Sequence, residues 1–168
     1  MWATATNSGD ARFREVPETV CAVMKFPQER VATFTCSFGA ADRSAYEVVG
    51  TKGSLRMDPA YEYADGLAFE LTMGTRKRRR KFARRDQFAP ELLYFSDCIL
   101  RDREVEPSGE EGLADVRIIE ALRESMAHGR FIATDLAQRD ARPTLQQEMR
   151  RPPVRKPKLV NVQTPHPE

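Results

Sequence analysis

Three cysteines, two histidines and a scatter of carboxylates are the residues of this 168-residue chain with chemistry beyond packing, and their spacing limits what they can do. Cys21, Cys36 and Cys98 form no Cys-x-x-Cys pair and have no histidine close by in sequence, so neither a dithiol nor a zinc ligand set is written there. Buried structural cysteines are the expectation. Glu124 and His128 stand four apart, a spacing that can bring two ligands together on a helix, but no second ligand motif accompanies them. His166 lies among prolines in the tail. With histidines so placed, no Ser-His-Asp arrangement for acyl transfer can be drawn. No Gly-x-Gly-x-x-Gly occurs, so the chain offers no glycine loop to cradle a dinucleotide pyrophosphate. The residues therefore nominate no catalytic residue, no cofactor-binding residue and no metal ligand.

Two charged features remain. Helical spacing places Asp115 among Ile118, Ile119 and Leu122, and a carboxylate in an apolar arc must be paired or hydrogen-bonded. Asp115 is accordingly expected as a structural buried carboxylate. Arg76-Lys77-Arg78-Arg79-Arg80-Lys81 is an unbroken run of six cations. It lacks the interleaved aromatics of a base-stacking platform, so it reads as a solvated hairpin edge, and nucleic acid is not expected as a partner.

The elements that must position these residues begin at once, as if the chain were cut from a longer one. Trp2, Thr4 and Thr6 alternate with Ala3 and Ala5. Val20 to Phe26 and Val31 to Phe38 read as a hairpin around Pro27-Gln28-Glu29-Arg30. Centring it between Gln28 and Glu29 sets Cys21 opposite Cys36 and Val23 opposite Phe34. Ala22, Met24, Thr33, Thr35 and Ser37 then share the other face. Ala45 to Val49 and Ser54 to Met57 flank the turn Gly50-Thr51-Lys52-Gly53, where two glycines suit a tight reversal. Leu67 to Met73 alternates clearly, and the basic run is its hairpin partner.

The period then becomes helical. Phe88, Leu92, Phe95 and Ile99 form one stripe. Ser108-Gly109-Glu110-Glu111 is a capping-box sequence opening a helix that carries Ala114, Ile118, Ile119, Leu122 and Met126, with Gly129 as its stop. Phe131-Ile132-Ala133 suggests a last short strand. Strands first and helices later predict an α+β domain over residues 1–133: an open, mostly antiparallel sheet with two helices packed on one face. Residues 134–168, rich in proline and arginine, read as an extended tail.

Composition bounds the setting. Hydrophobic residues make up 40% and charged residues 31%, the balance of a globular domain, and a net charge of +2 marks no polyanion binder as a whole. No apolar run approaches the ~18–20 residues that span a bilayer. The N-terminal residues have neither the basic nor the apolar region of a signal peptide. Free cysteines suit a reducing, cytoplasmic compartment.

The segments Phe88-Ala89-Pro90-Glu91-Leu92-Leu93-Tyr94-Phe95-Ser96-Asp97-Cys98-Ile99 and Pro107 to Ala121 resemble the last two helices of the glucose–fructose oxidoreductase and inositol dehydrogenase (Gfo/Idh/MocA) family. The turn Val48-Val49-Gly50-Thr51-Lys52-Gly53-Ser54-Leu55 is similar to that family's mid-sheet hairpin. The resemblance covers most of residues 1–133. It implies the C-terminal substrate-side and oligomerisation domain of a sugar or polyol oxidoreductase, without the N-terminal Rossmann domain. NAD or NADP is implied for the full-length family, with no cofactor in this chain. The family's catalytic Glu-Lys-Pro lysine and Asp/His pair lie upstream of the matched region. Lys156-Pro157 follows an arginine and does not reproduce the first, and neither histidine reproduces the second. A split enzyme completed by a separate Rossmann chain, or an inactive gene fragment or mis-called start, both follow. A stand-alone binding module using the free sheet face or the basic hairpin is the alternative. The family's subunits meet on the sheet face opposite the helices, so Ala22, Met24, Thr33, Thr35 and Ser37 are the expected interface of a homo-oligomer.

Overall fold

The computed structural model describes residues 1–63, 65–136 and 144, and the rest of the expected tail lies outside the described residues. The fold is α+β as the sequence implies, but the strands form two antiparallel sheets instead of one: β1-β2-β3 and β4-β5-β6-β7. They fall in two compact units, one built from Met1–Ala41 with the segment that starts at Glu106, the other from Asp42–Val105.

In the first unit, β1 (Trp2–Thr6), β2 (Thr19–Phe26) and β3 (Arg30–Ser37) are packed by α2 (Gly109–His128). Ala3 and Ala22, both 2% exposed, form the core with Leu122, and Met1, Ile118 and Met126 close around them. Burying a side chain such as Leu122 contributes roughly 1.5–3 kcal/mol, and the two alanines leave room for the helix to approach. The capping box forms as its residues predict: Ser108 N–H donates to Glu111 Oε2 and Ser108 Oγ accepts from Glu110 N–H, each at 3.2 Å. Gly129 ends the helix in the left-handed conformation at φ 64°, which glycine adopts without the Cβ penalty.

Beyond that cap the chain returns to the sheet. Met1 N donates to Ile132 O at 2.5 Å and Ile132 N–H donates to Met1 O at 2.8 Å, the reciprocal exchange of an antiparallel pair. The expected last strand is thus reduced to this single exchange. Between β1 and β2, Asn7 Oδ1 accepts from Glu18 N–H at 2.7 Å and Asn7 Nδ2 donates to the carbonyl of buried Phe13 at 3.1 Å.

In the second unit, β4 (Tyr46–Gly50), β5 (Gly53–Met57), β6 (Leu67–Met73) and β7 (Arg76–Phe82) make a meander. A Cβ at Gly53 would stand 2.0 Å from Thr72 O on β6, so this turn position must lack one. Arg56 and Arg43 both reach Asp58 Oδ2 at 2.8 Å. The hydrogen bond from Arg56, with the charge of Arg43 added, holds the Asp58 carboxyl below the ordinary carboxylate range. α1 (Phe88–Leu100) starts where Asp86 Oδ1 accepts from the amides of Phe88 and Ala89, at 2.9 and 3.0 Å. Its covered positions are Pro90 and Cys98. Phe88, Leu92, Phe95 and Ile99, expected as the covered stripe, are all at least half exposed. Leu93 and Leu100 are exposed too, so apolar residues ring this helix and its periodicity does not single out the inward face.

Candidate functional site

The candidate site is the face of the first sheet turned away from α2. The register that defines it differs from the expectation by one residue. Ala22 pairs with Phe34, and Cys21 with Thr35 rather than Cys36. The cause is the loop: Phe26 and Arg30 pair, leaving a three-residue connection, Pro27-Gln28-Glu29, in which Gln28 and Glu29 both take positive φ, 63° and 55°. A one-residue slip exchanges the faces of one strand relative to the other. Of the five residues assigned to the free face, Ala22 and Met24 therefore lie on the helix side, and Ala22 is core. Thr33, Thr35 and Ser37 do lie opposite the helix.

Their actual companions follow from the two registers. Trp2, Val23 and Thr33 form one row across the sheet, Thr4, Cys21 and Thr35 the next, and Thr6, Thr19 and Ser37 the third. Side chains knit these rows: Thr19 Oγ1 and Ser37 Oγ stand 2.7 Å apart, and Cys21 Sγ lies 3.3 Å from Thr35 Oγ1. The nine positions carry no charge, and six of them are threonine or serine hydroxyls. Such a face offers short hydrogen-bonding groups and the Trp2 ring, and it holds no acid, base or nucleophile set for catalysis. Alternation groups Trp2 with Thr4 and Thr6 on their own strand, but only the pairing of the strands reveals that Trp2 and Val23 share the face of Thr33.

Asp115 is not the buried carboxylate expected of it. It is exposed, because α2 turns Ile118, Ala121, Leu122, Ser125 and Met126 toward the sheet and leaves Leu113, Val116 and Ile119 outside. The apolar arc of the helix is wider than the face it buries, and Asp115 lies on the outer part. The buried polar group of this helix is Ser125, fully inaccessible. Its hydroxyl accepts from Ala3 N–H at 3.0 Å and donates to Arg130 O at 2.7 Å. A serine inside a helix gives little sign of such a role in sequence.

Glu124 does not meet His128 at a ligand site; it pairs with Arg130 at 3.1 Å. Among the described residues no three His, Cys, Asp or Glu side chains gather as a metal site. The three cysteines are free, with Cys98 buried, Cys21 half-buried and Cys36 exposed. The basic run forms β7, exposed along its length, with Lys77 and Arg79 both reaching Glu70, at 3.4 and 3.2 Å. No helix among the described residues is long and apolar enough to cross a membrane.

Comparison with known proteins bears on what this face belongs to. The profile described as "Oxidoreductase family, C-terminal alpha/beta domain" (GFO_IDH_MocA_C) matches residues 3–134. The D-xylose 1-dehydrogenase [NADP(+)] of Haloarcula marismortui is 33% identical over 114 residues, 67% of this chain and 32% of that protein. The D-xylose 1-dehydrogenase (NADP(+)) 2 of Haloferax volcanii is 26% identical over 137 residues, 80% of this chain and 41% of that protein. Among solved structures, the aldose-aldose oxidoreductase of Caulobacter crescentus, complexed with glycerol, superimposes with a TM-score of 0.69 at 32% identity, covering 77% of this chain and 39% of that one. The chain spans a third to two-fifths of the length of these relatives.

Proposed function

The chain belongs to the Gfo/Idh/MocA oxidoreductase family as its C-terminal α/β domain, and from that premise we propose that it is the substrate-side and oligomerisation domain of an NAD(P)-dependent sugar or polyol oxidoreductase. The observation that carries the reading is the match over residues 3–134 together with relatives named as NADP-dependent D-xylose dehydrogenases. A dinucleotide-binding Rossmann domain, on the same polypeptide or on a separate chain, supplies the cofactor site and the catalytic lysine. The exposed apolar surface of α1 suits packing by such a domain, since soluble monomers seldom leave a patch of this kind uncovered. The uncharged face of β1, β2 and β3 is the proposed subunit interface, with Thr33, Thr35 and Ser37 inside it and Ala22 and Met24 outside it. Three free thiols suit a cytoplasmic setting.

Calorimetric titration of the purified chain with NADPH, followed by assay with D-xylose and related aldoses, tests the division of labour. The expected result is neither saturable binding at micromolar nucleotide nor turnover. Saturable binding by this chain alone would overturn it and favour a self-sufficient enzyme.

A further inference from the structure

We propose that the outer edge of β7 receives an acidic polypeptide segment, which adds to the second sheet as a further strand. Among the described residues β7 is an edge, paired only with β6. Which of its backbone groups are free follows from its neighbour. Ala68 N–H donates to Pro59 O at 3.4 Å and Ala68 O accepts from Asp58 N–H at 2.9 Å, so the backbone of Ala68 points away from β7. By the alternation of an antiparallel ladder, Glu70 and Thr72 do the same. Their partners Lys81, Arg79 and Lys77 therefore turn their own N–H and C=O groups outward, three donor–acceptor sets in a row.

The side chains state what the added strand must carry. Arg76, Arg78 and Arg80 share a face with Leu71, Phe69 and Met73, and the further residues of that face, Tyr46, Val48, Leu55 and Met57, include no acid. On the opposite face Lys77 and Arg79 share the one carboxylate of Glu70. Among the described residues, six consecutive cations thus meet a single acidic partner. The same charge that keeps a second copy of β7 from pairing selects a strand bearing Asp or Glu, whose carboxylates fall opposite the three cations of the face they share. The free backbone edge is what distinguishes a peptide from other anions, because strand addition draws its affinity from main-chain hydrogen bonds. A single-stranded nucleic acid would need rings to stack on, and the ring at the end of β7, Phe82, is already covered by Arg80 at 4.8 Å.

The test is fluorescence anisotropy of the full chain with a labelled peptide that alternates glutamate and valine. The expected result is saturable binding that falls by about tenfold or more when the peptide is N-methylated at alternate residues. That change removes main-chain donors and keeps every charge. On the protein, Arg79→Pro deletes an outward N–H that β6 does not use, so the hairpin is kept; it should lose binding, while Arg79→Gln keeps most of it. Equal affinity for the methylated and unmethylated peptides would reduce the edge to a point-charge surface and overturn the proposal. So would tighter binding of an oligothymidine of equal charge, or no binding of either probe.

Discussion

The amide of Ala3 donates to the hydroxyl of Ser125 at 3.0 Å across 122 positions of sequence. This bond ties the first strand to the last turns of α2, and the same hydroxyl passes on to Arg130 O at 2.7 Å. One side chain thus satisfies an outward amide of β1 and a carbonyl beyond the helix cap. Ser125→Ala would leave the buried Ala3 amide and the half-buried Arg130 carbonyl without this partner. A loss of about 1–3 kcal/mol is expected, read as a lower denaturant midpoint with an unchanged slope. An unaltered midpoint would mean that water replaces the hydroxyl and that the tie carries no stability.

The register of β2 and β3 can be tested by chemistry. Phe38 N–H bonds Glu18 O at 3.0 Å, so bonded pairs fall at Glu18, Val20 and Ala22, and Cys21 and Thr35 form the closer, non-bonded kind. Their side chains already touch at 3.3 Å. In Thr35→Cys the new thiol should oxidise to a disulfide with Cys21, mapped by mass spectrometry of tryptic peptides. The wild-type protein should show no Cys21–Cys36 bridge, since those side chains lie on opposite faces. A Cys21–Cys36 bridge in the folded wild type would restore the register expected from sequence.

That register marks the boundary of what is legible in the sequence. The strands declare themselves by alternation, and α2 by Ser108, Glu111 and Gly129, because each of those signals is local. The hairpin loop holds no glycine or asparagine, yet it places Gln28 and Glu29 in the left-handed region, which neither residue announces. Alternation alone therefore sets the faces of β2 and β3 wrong by one step, and Ala22 and Met24 with them. The same limit applies to Asp115. Apolar residues spread over so wide an arc of α2 that only the packing of Leu122 on Ala3 and Ala22 fixes the phase.

The Asp58 carboxyl provides a pH signature of the second unit. Its hydrogen bond from Arg56, reinforced by the charge of Arg43, lowers its pKa in the folded state. A depressed folded value means that the unfolded chain binds the proton more tightly. The contribution is thus complete above the unfolded carboxylate value, about 3.9, and is lost as pH falls through the lower folded value. Carboxyl-resolved NMR titration should find Asp58 titrating below the ordinary range, and Arg56→Gln should move it upward. A midpoint unchanged by Arg56→Gln would show that the fork with Arg43 and Arg56 does not hold in solution.

Self-association through the first sheet is the last expectation, and its geometry is specific. Thr4, Cys21 and Thr35 form the central row of an uncharged face bounded by Trp2, Val23 and Thr33 on one side and Thr6, Thr19 and Ser37 on the other. In a two-fold dimer a residue near the axis meets its own copy, so a single charge there is repeated against itself in a desolvated contact. Thr35→Arg should therefore convert a dimer at tens of micromolar into a monomer in sedimentation velocity. It should leave the circular dichroism unchanged, because Thr35 is exposed in the single chain. Arginine at Ala22 would be no substitute, since that residue packs on Leu122 and its replacement would disturb the core instead. A wild-type chain that sediments as a monomer would leave this face to solvent, as one side of an antiparallel sheet can be, and would remove the oligomerisation role from the domain.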